Sequence, residues 1–190
     1  VLRLGDFVRI HKAAVDPDEL AVAFLAGLGA AVDSLNAARE GEGGHLAADI
    51  GGRLGALETL LDLVEEASPR IQEAFEVKLR GRLDDLARKF GGDMDEGRLA
   101  TELVLYSDKS DVTEETVRAR AHIGTFRDLL VPGAGDAQGL RGKRLDFLAQ
   151  ELNREFNTIG SKCRDAGMAT AVVDAKVELE RIREQIQNIA

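Results

Sequence analysis

Residues 142–162, GKRLDFLAQELNREFNTIGSK, decide the fold class. Leu145, Leu148, Leu152 and Ile159 share one helical face, and Glu151, Glu155, Thr158 and Lys162 follow at i, i+4, i+7 and i+11 on another. A second polar line, Asp146, Gln150, Asn153 and Asn157, runs beside it. A half-buried strand would alternate apolar and polar residues, and this stretch does not. The spacing predicts a helix over about 143–162. Working outward, a further helix is expected from Asp165 or Ala166 to Asn188, and Val131 to Arg141, rich in Gly around Pro132, is a loop before the central helix. Asp111 or Thr113 caps a helix that ends at Leu130. Leu99, Leu103 and Leu105 mark a shorter one over about 95–106, followed by a polar turn from Ser107 to Asp111.

The first 92 residues repeat the pattern three times. Asp16 caps Pro17 at a first helical position, and Leu20, Phe24, Leu28, Val32 and Leu35 recur at helical spacing. Gly41, Gly43 and Gly44 punctuate, after which Leu46, Ile50, Leu54, Leu57, Leu61 and Val64 continue. Ser68-Pro69 restarts the pattern, with Ile71, Phe75, Leu79, Leu83 and Leu86 ending at Gly91-Gly92. The expectation is an all-α, elongated bundle of about seven helices. Its divisions are an extended segment at 1–15, a helical region at 16–92 and a C-terminal helical domain at 93–190. Gly27, Gly29, Gly51 and Gly52 lie inside helical patterns, where close helix packing is their expected role.

Composition agrees. The 190 residues are 44% apolar and 31% charged with three Pro, which excludes disorder and favours helix. No uninterrupted apolar run approaches the roughly 20 residues that cross a bilayer, so no membrane span is expected. The lone Cys163 has no disulfide or thiolate partner, which suits a reducing cytoplasm. Val1 stands where an initiator Met would, so the sequence reads as a piece of a longer protein. The formal charge of −9 argues against nucleic acid as a partner, but the acidity is regional. From Arg141 onward nine Lys and Arg face eight Asp and Glu.

Candidate chemistry lies on the central helix. Hard cations take carboxylate, amide and water oxygens, and the stripe carrying Glu151 and Glu155 is rich in these. On the residues alone a solvated bundle face is the simpler reading of both carboxylates. Two Asn in mid-helix weigh against it, because Asn is a mediocre helix former. His122 stands among Arg118, Arg120 and Arg127, a setting for proton transfer beside a phosphate or for plain helix packing. Zinc motifs, the phosphate loop GxxxxGK[ST] and GxGxxG are all absent. If the helices on either side of residues 131–141 are neighbours, Arg118, Arg120, Arg127, Arg141, Lys143, Arg144, Arg154, Lys162 and Arg164 would line a basic groove.

Three segments carry a resemblance: RLATELVLYSDKSDVTEETVRARAHIGTFRDLL at 98–130, GKRLDFLAQELNREFNTIGSKCRDA at 142–166 and VELERIREQIQNI at 177–189. They resemble the C-terminal region of the bacterial YicC/YloC family. AAREGEGGHL at 37–46 and the Leu-rich stretch after it are similar more loosely to the preceding part of that family. The loop at 132–140, Cys163 and Gly167 depart from the usual pattern. The resemblance implies a metal-dependent endoribonuclease using Mn2+ or Mg2+, assembled as a ring-like homo-oligomer such as a hexamer, and a fragment here of a larger α+β protein. On that basis Glu151 and Glu155 are expected to bind a metal or position its water, with Asp108 and His122 as further candidates for metal binding or proton transfer. Arg118, Arg127, Lys143, Arg154 and Lys162 would hold RNA phosphates, and Asn153 and Asn157 would meet sugar hydroxyls. The alternative is a non-enzymatic helical adaptor or oligomerisation domain. Val173, Val177, Leu179, Ile182, Ile186 and Ile189 support it by giving the last helix a broad apolar surface.

Overall fold

The computed structural model describes residues 16–91, 95–131, 140–162 and 165–187. Every element there is an α-helix: α1 Pro17–Phe90, α2 Glu96–Ser110, α3 Thr113–Leu130, α4 Arg141–Lys162 and α5 Ala166–Ile186. The all-α expectation holds among the described residues, but the number of helices does not. Five helices replace about seven, because the stretches read as the first three form one 74-residue α1. The expected extended segment at 1–15 lies outside the described residues, as do Gly92, most of the 131–141 loop, Cys163, Arg164 and Asn188.

The breaks expected within α1 fail for a physical reason. A helical Gly costs only about 1 kcal/mol relative to Ala and an interior Pro about 3, and burial elsewhere on a helix offsets such amounts. Pro69 has no N–H for the Glu65 carbonyl one turn back, yet buried Val64 precedes it and Ile71 beyond it also packs on the core. The glycines at 41–44 matter in another way. The chain divides into two compact units at that point, Val1–Gly44 and His45–Ala190.

In the second unit α1 contributes Ile50, Leu54, Leu57, Leu61 and Val64, alternating four and three residues apart as a knobs-into-holes seam does. They enter one core with Ile123 and Phe126 of α3, Leu152 and Phe156 of α4, and Leu179 and Ile182 of α5. Pairs between helices give the directions. Arg53 meets Glu178 at 2.9 Å and Gln185 donates to Asp49 at 3.1 Å, so α5 runs antiparallel to α1. Arg127 with Glu58 and Arg120 with Glu65 make α3 antiparallel to α1 as well. Lys162 with Glu115 and Arg183 with Asp146 set α4 against both. The unit is a four-helix bundle of the second half of α1 with α3, α4 and α5.

The close approach of helices is at Gly160, where a Cβ would come within 3.1 Å of Val172 on α5. Gly27, Gly29, Gly51 and Gly52, expected to pack closely, have nothing within 4 Å of where a Cβ would stand. Gly91, at φ 69°, ends α1 in the left-handed conformation that glycine adopts at little cost. Beyond it α2, capped by Asp95 accepting from the Arg98 N–H, folds back antiparallel to α1: Arg80 reaches Glu96, and the rings of Phe75 and Tyr106 stack with centroids 3.4 Å apart. The polar turn expected from Ser107 is helical as far as Ser110. The hydroxyl of Ser110 bonds back to the Tyr106 carbonyl, so the polar run satisfies itself within the helix.

In the first unit all the described residues are exposed, Leu20, Phe24, Leu25, Leu28, Val32 and Leu35 among them. An 18-residue window here has a mean hydropathy of 1.6 with none of it buried, apolar and long enough by composition to cross a membrane. A search for uninterrupted apolar runs misses it, because Gly, Ser and one Asp are interspersed among the Leu, Val and Ala. On α5 the broad apolar surface divides: Leu179, Ile182 and Ile186 enter the core, whereas Val173 and Val177 stay exposed.

Candidate active site

The seam between α3 and α4 collects charged side chains at a buried interface. Glu115 lies in the first turn of α3, and Lys162 is the last residue of α4, each favourably placed for its helix dipole. Lys162 Nζ donates to both Glu115 carboxylate oxygens, at 2.7 and 2.9 Å, and to the Asp111 carbonyl at 2.8 Å. One turn along, Arg118 Nη1 stands 3.9 Å from Glu155 Oε1. Arg118 also pairs with Glu114 on its own helix. The same antiparallel register sets His122, one turn beyond Arg118, at the level of Glu151.

Glu115 and Glu155 differ in what they can do. Both are nearly buried, at 5% and 4% exposure. Glu115 is held by its lysine. Glu155 has only the longer ion pair, and no hydrogen bond to its carboxylate is formed among the described residues. No fully enclosed side-chain oxygen or nitrogen among the described residues lacks a partner, so the Glu155 carboxylate keeps an opening to water while its stem is buried. A carboxylate so placed can accept a proton or orient a water. Glu151, half-buried, lies 4.0 Å from Arg154 Nη1.

The other expected residues are spread around the bundle. Asn153, Arg154 and Asn157 are exposed on the outer side of α4, and Lys143 is exposed in its first turn. Arg127 turns toward α1, at 2.6 Å from Glu58. Arg120 bonds Asp62 and Glu65 on α1, which raises the pKa of its guanidinium further. Arg141 donates to the Leu129 and Val131 carbonyls. The arginines expected to line one basic groove are thus largely committed to carboxylates and carbonyls, facing more than one helix. Asp108 is exposed on α2. Among the described residues no three His, Cys, Asp or Glu side chains converge on a point where an ion could sit. Glu151 and Glu155 alone supply fewer oxygens than a hard cation takes, so these residues do not by themselves make a metal site.

Sequence reasoning missed Glu115, although a signal was present. Val112, Glu115, Ala119, Ile123 and Phe126 continue one stripe at three- and four-residue steps, and a carboxylate in an apolar stripe calls for a buried cation. The stacking of Phe75 on Tyr106 had no such signal, since it depends on how α2 folds back.

A family model described as "Endoribonuclease YicC-like, C-terminal" matches residues 64–190, which include the whole α3–α4 seam. The chain belongs to the YicC-like family. It is 39% identical over 189 residues to a protein of Clostridioides difficile (strain 630) named "Probable endoribonuclease YicC", covering 100% of this chain and 62% of that one. A protein of Haemophilus influenzae (strain ATCC 51907 / DSM 11121 / KW20 / Rd) with the same name is 34% identical over 153 residues, 80% of this chain and 50% of its own length. The chain therefore spans between half and two thirds of the YicC relatives it matches. The resemblance read from the three segments is borne out at the level of the family.

Proposed function

We propose that this YicC-like chain takes part in endonucleolytic cleavage of RNA and that the α3–α4 seam is where the phosphodiester reacts. The observation that carries the proposal is Glu155, a buried carboxylate open to water, inside the stretch matched by the endoribonuclease family. In this assignment Glu155 takes the proton of the attacking hydroxyl or water, and His122, at the level of Glu151, donates one to the leaving oxygen. Arg118, already between two carboxylates, moves to the phosphate as charge builds there. Lys143, Arg154, Asn153 and Asn157, all exposed on α4, contact the RNA backbone beyond the reacting bond. Mn2+ or Mg2+ belongs to the proposal as a dependence to be measured, and no step is routed through it. The test is cleavage of an end-labelled RNA at several Mn2+ and Mg2+ concentrations and with chelator. Internal products that disappear with Glu155→Gln support the proposal, and equal cleavage by wild type and variant removes Glu155 from it.

A second role has its own observation. Leu25, Leu28, Val32 and Leu35 alternate three and four residues apart on the part of α1 whose residues are all exposed, the pattern of a coiled-coil seam. We propose that this segment pairs with another copy of the chain, as an oligomerisation domain would. Leu28→Asp with Leu35→Asp should lower the mass measured by light scattering. An unchanged oligomer, or flotation of the wild type with lipid vesicles in preference to self-association, would exclude this.

A further inference from the structure

A cleft of 1220 Å³ opens in the second unit between α1, α2 and the junction of α4 with α5. It exceeds the roughly 300–1,000 Å³ of a small-molecule pocket, which points to a segment of a macromolecule. Along α1 it runs from Leu63 to Lys78, about four turns or about 22 Å. Its floor is apolar: Met168 is buried, Ile71 packs partly on the core, and the stacked rings of Phe75 and Tyr106, both half-buried, bridge α1 and α2. Leu63 and Leu105 line it while 52% and 46% exposed, so apolar surface is left for a partner to cover. Every described element is a helix, so among the described residues no sheet edge is offered to an added strand, and what fills a groove between helices is another helix. A helix of about 15 residues matches the length of this one.

The charges at the rim give the sign of that helix. Arg70 and Lys78 on α1 and Lys109 on α2 are exposed and have no carboxylate partner among the described residues, Arg70 donating only to the Glu66 carbonyl on its own helix. Arg53, Arg120 and Arg127 are by contrast each held by a carboxylate. Lys162 also lines the cleft but is committed to Glu115, and Asp165 is engaged in capping α5, which leaves three cations beside Glu66 and Glu102. The chain as a whole has the opposite balance, 25 Lys and Arg to 34 Asp and Glu. Lys78 follows Phe75 and Lys109 follows Tyr106 at i+3, so each cation lies on the same side of its helix as a ring. We infer that the cleft docks an amphipathic, acidic helix of a partner protein, its apolar stripe on Ile71, Leu105 and the ring pair and its carboxylates on Lys78, Lys109 and Arg70. The rings are the anchor, and the lysines select against a basic partner. Glu115, Glu151 and Glu155 do not line the cleft, so the inference is separate from the proposed RNA chemistry.

The test is fluorescence anisotropy of the full chain with three labelled synthetic helical peptides: one with a Leu and Phe stripe at i, i+3, i+4 and i+7 flanked by Glu, one with the same stripe flanked by Lys, and one with the acidic composition and the stripe scrambled. Wild type should bind the acidic striped peptide about tenfold or more tightly than the basic one, less so at high salt, and the scrambled peptide without saturation. Lys78→Glu with Lys109→Glu, both exposed side chains, should reverse the preference between the two striped peptides. Tyr106→Ala should weaken the acidic peptide roughly fivefold or more and Tyr106→Phe should restore it, while Leu105→Asp, which leaves the ring pair in place, should weaken it comparably. Equal affinity for acidic and basic peptides, acidic binding unchanged in the double lysine variant, or no saturable binding of any peptide would overturn the inference. So would displacement of the acidic peptide by an oligoribonucleotide whose own affinity falls in the same variants, which would give the cleft to RNA. A lower mass by light scattering for Leu105→Asp, with peptide binding unchanged, would give it to a second copy of the chain.

Discussion

Replacing Lys162 by Met leaves the stem of the side chain and removes its charge from a buried acid. The lysine is 28% exposed and Glu115 6%, with the ammonium 2.7 Å from the carboxylate. At an effective dielectric constant of about 20 the attraction at that distance is about 6 kcal/mol before desolvation. Removing one partner of a fully buried pair costs about 3–5 kcal/mol, because the remaining charge is stranded. Partial exposure of Lys162 reduces this to about 2–3 kcal/mol, which includes the lost bond to the Asp111 carbonyl. In a unit of this size that is a fall in Tm of about 5–10 °C. The assay is a double-mutant cycle by thermal and urea unfolding. Lys162→Met alone should show the full loss, and Lys162→Met with Glu115→Gln should recover at least about 1 kcal/mol of it, since no charge is then left buried. A single variant within about 0.5 kcal/mol of wild type, or strictly additive losses, would refute the reasoning. Lys162 was read from the sequence as a phosphate contact. Its partners make it first a support for the seam, so a loss of RNA cleavage in Lys162→Met needs the stability measurement beside it.

Three further outcomes follow from the geometry. Pro69→Ala should raise the free energy of unfolding by about 1–3 kcal/mol, read as a higher urea midpoint, because Ala restores a hydrogen bond inside a continuous α1; a helix that began at Pro69 would be destabilised instead. Arg120→Ala, which releases α3 from Asp62 and Glu65, should cost about 1 kcal/mol and less at high salt, read from urea midpoints at two salt concentrations; a loss independent of salt would exclude the ion pair as its cause. The pKa of Asp49 is held below the usual carboxylate range chiefly by its bonds from Arg53, and that of Asp111 by its bonds with Thr113. A carboxylate lowered in the folded state stabilises above its unfolded pKa of about 3.9 and loses that contribution as pH falls through the folded value. Tm should therefore be level above about pH 5 and fall below about pH 4, with Asp49→Asn and Asp111→Asn less sensitive to acid than wild type; equal acid sensitivity would contradict this.

How far the sequence disclosed the molecule depends on which interactions decide each feature. The boundaries at Leu130, Lys162 and Asp165 were legible because caps and turn residues set them locally; the start of α3 at Thr113 was placed correctly, but its N-cap is Val112, which makes no side-chain cap, and Asp111 only accepts from the Thr113 N–H. The stripe from Ile50 to Val64 was legible because its periodicity records what it buries. The continuity of α1 through Pro69 was not, since propensity gives the local cost of a break and only tertiary packing, here of Val64 and Ile71, decides whether it is met; through 41–44 the helix continues with its residues exposed and no such packing. At the candidate site, spacing placed Glu151 and Glu155 on one helix correctly but could not say that Glu155 is buried while Asn153 and Asn157 face outward. The partners of the arginines were also hidden. A basic residue on a helix face looks the same in sequence whether it meets RNA or, like Arg127, a glutamate on α1.

The most direct test of the central claim is the rate of internal RNA cleavage under single-turnover conditions by wild type and by Glu151→Gln with Glu155→Gln, both at matched folded fraction. Loss of the α3–α4 carboxylates should reduce the rate by a factor of about 100 or more while leaving RNA affinity within a few-fold, as expected for groups that act on protons at the reacting bond. A double variant that cleaves at the wild-type rate would contradict the placement of the chemistry at this seam.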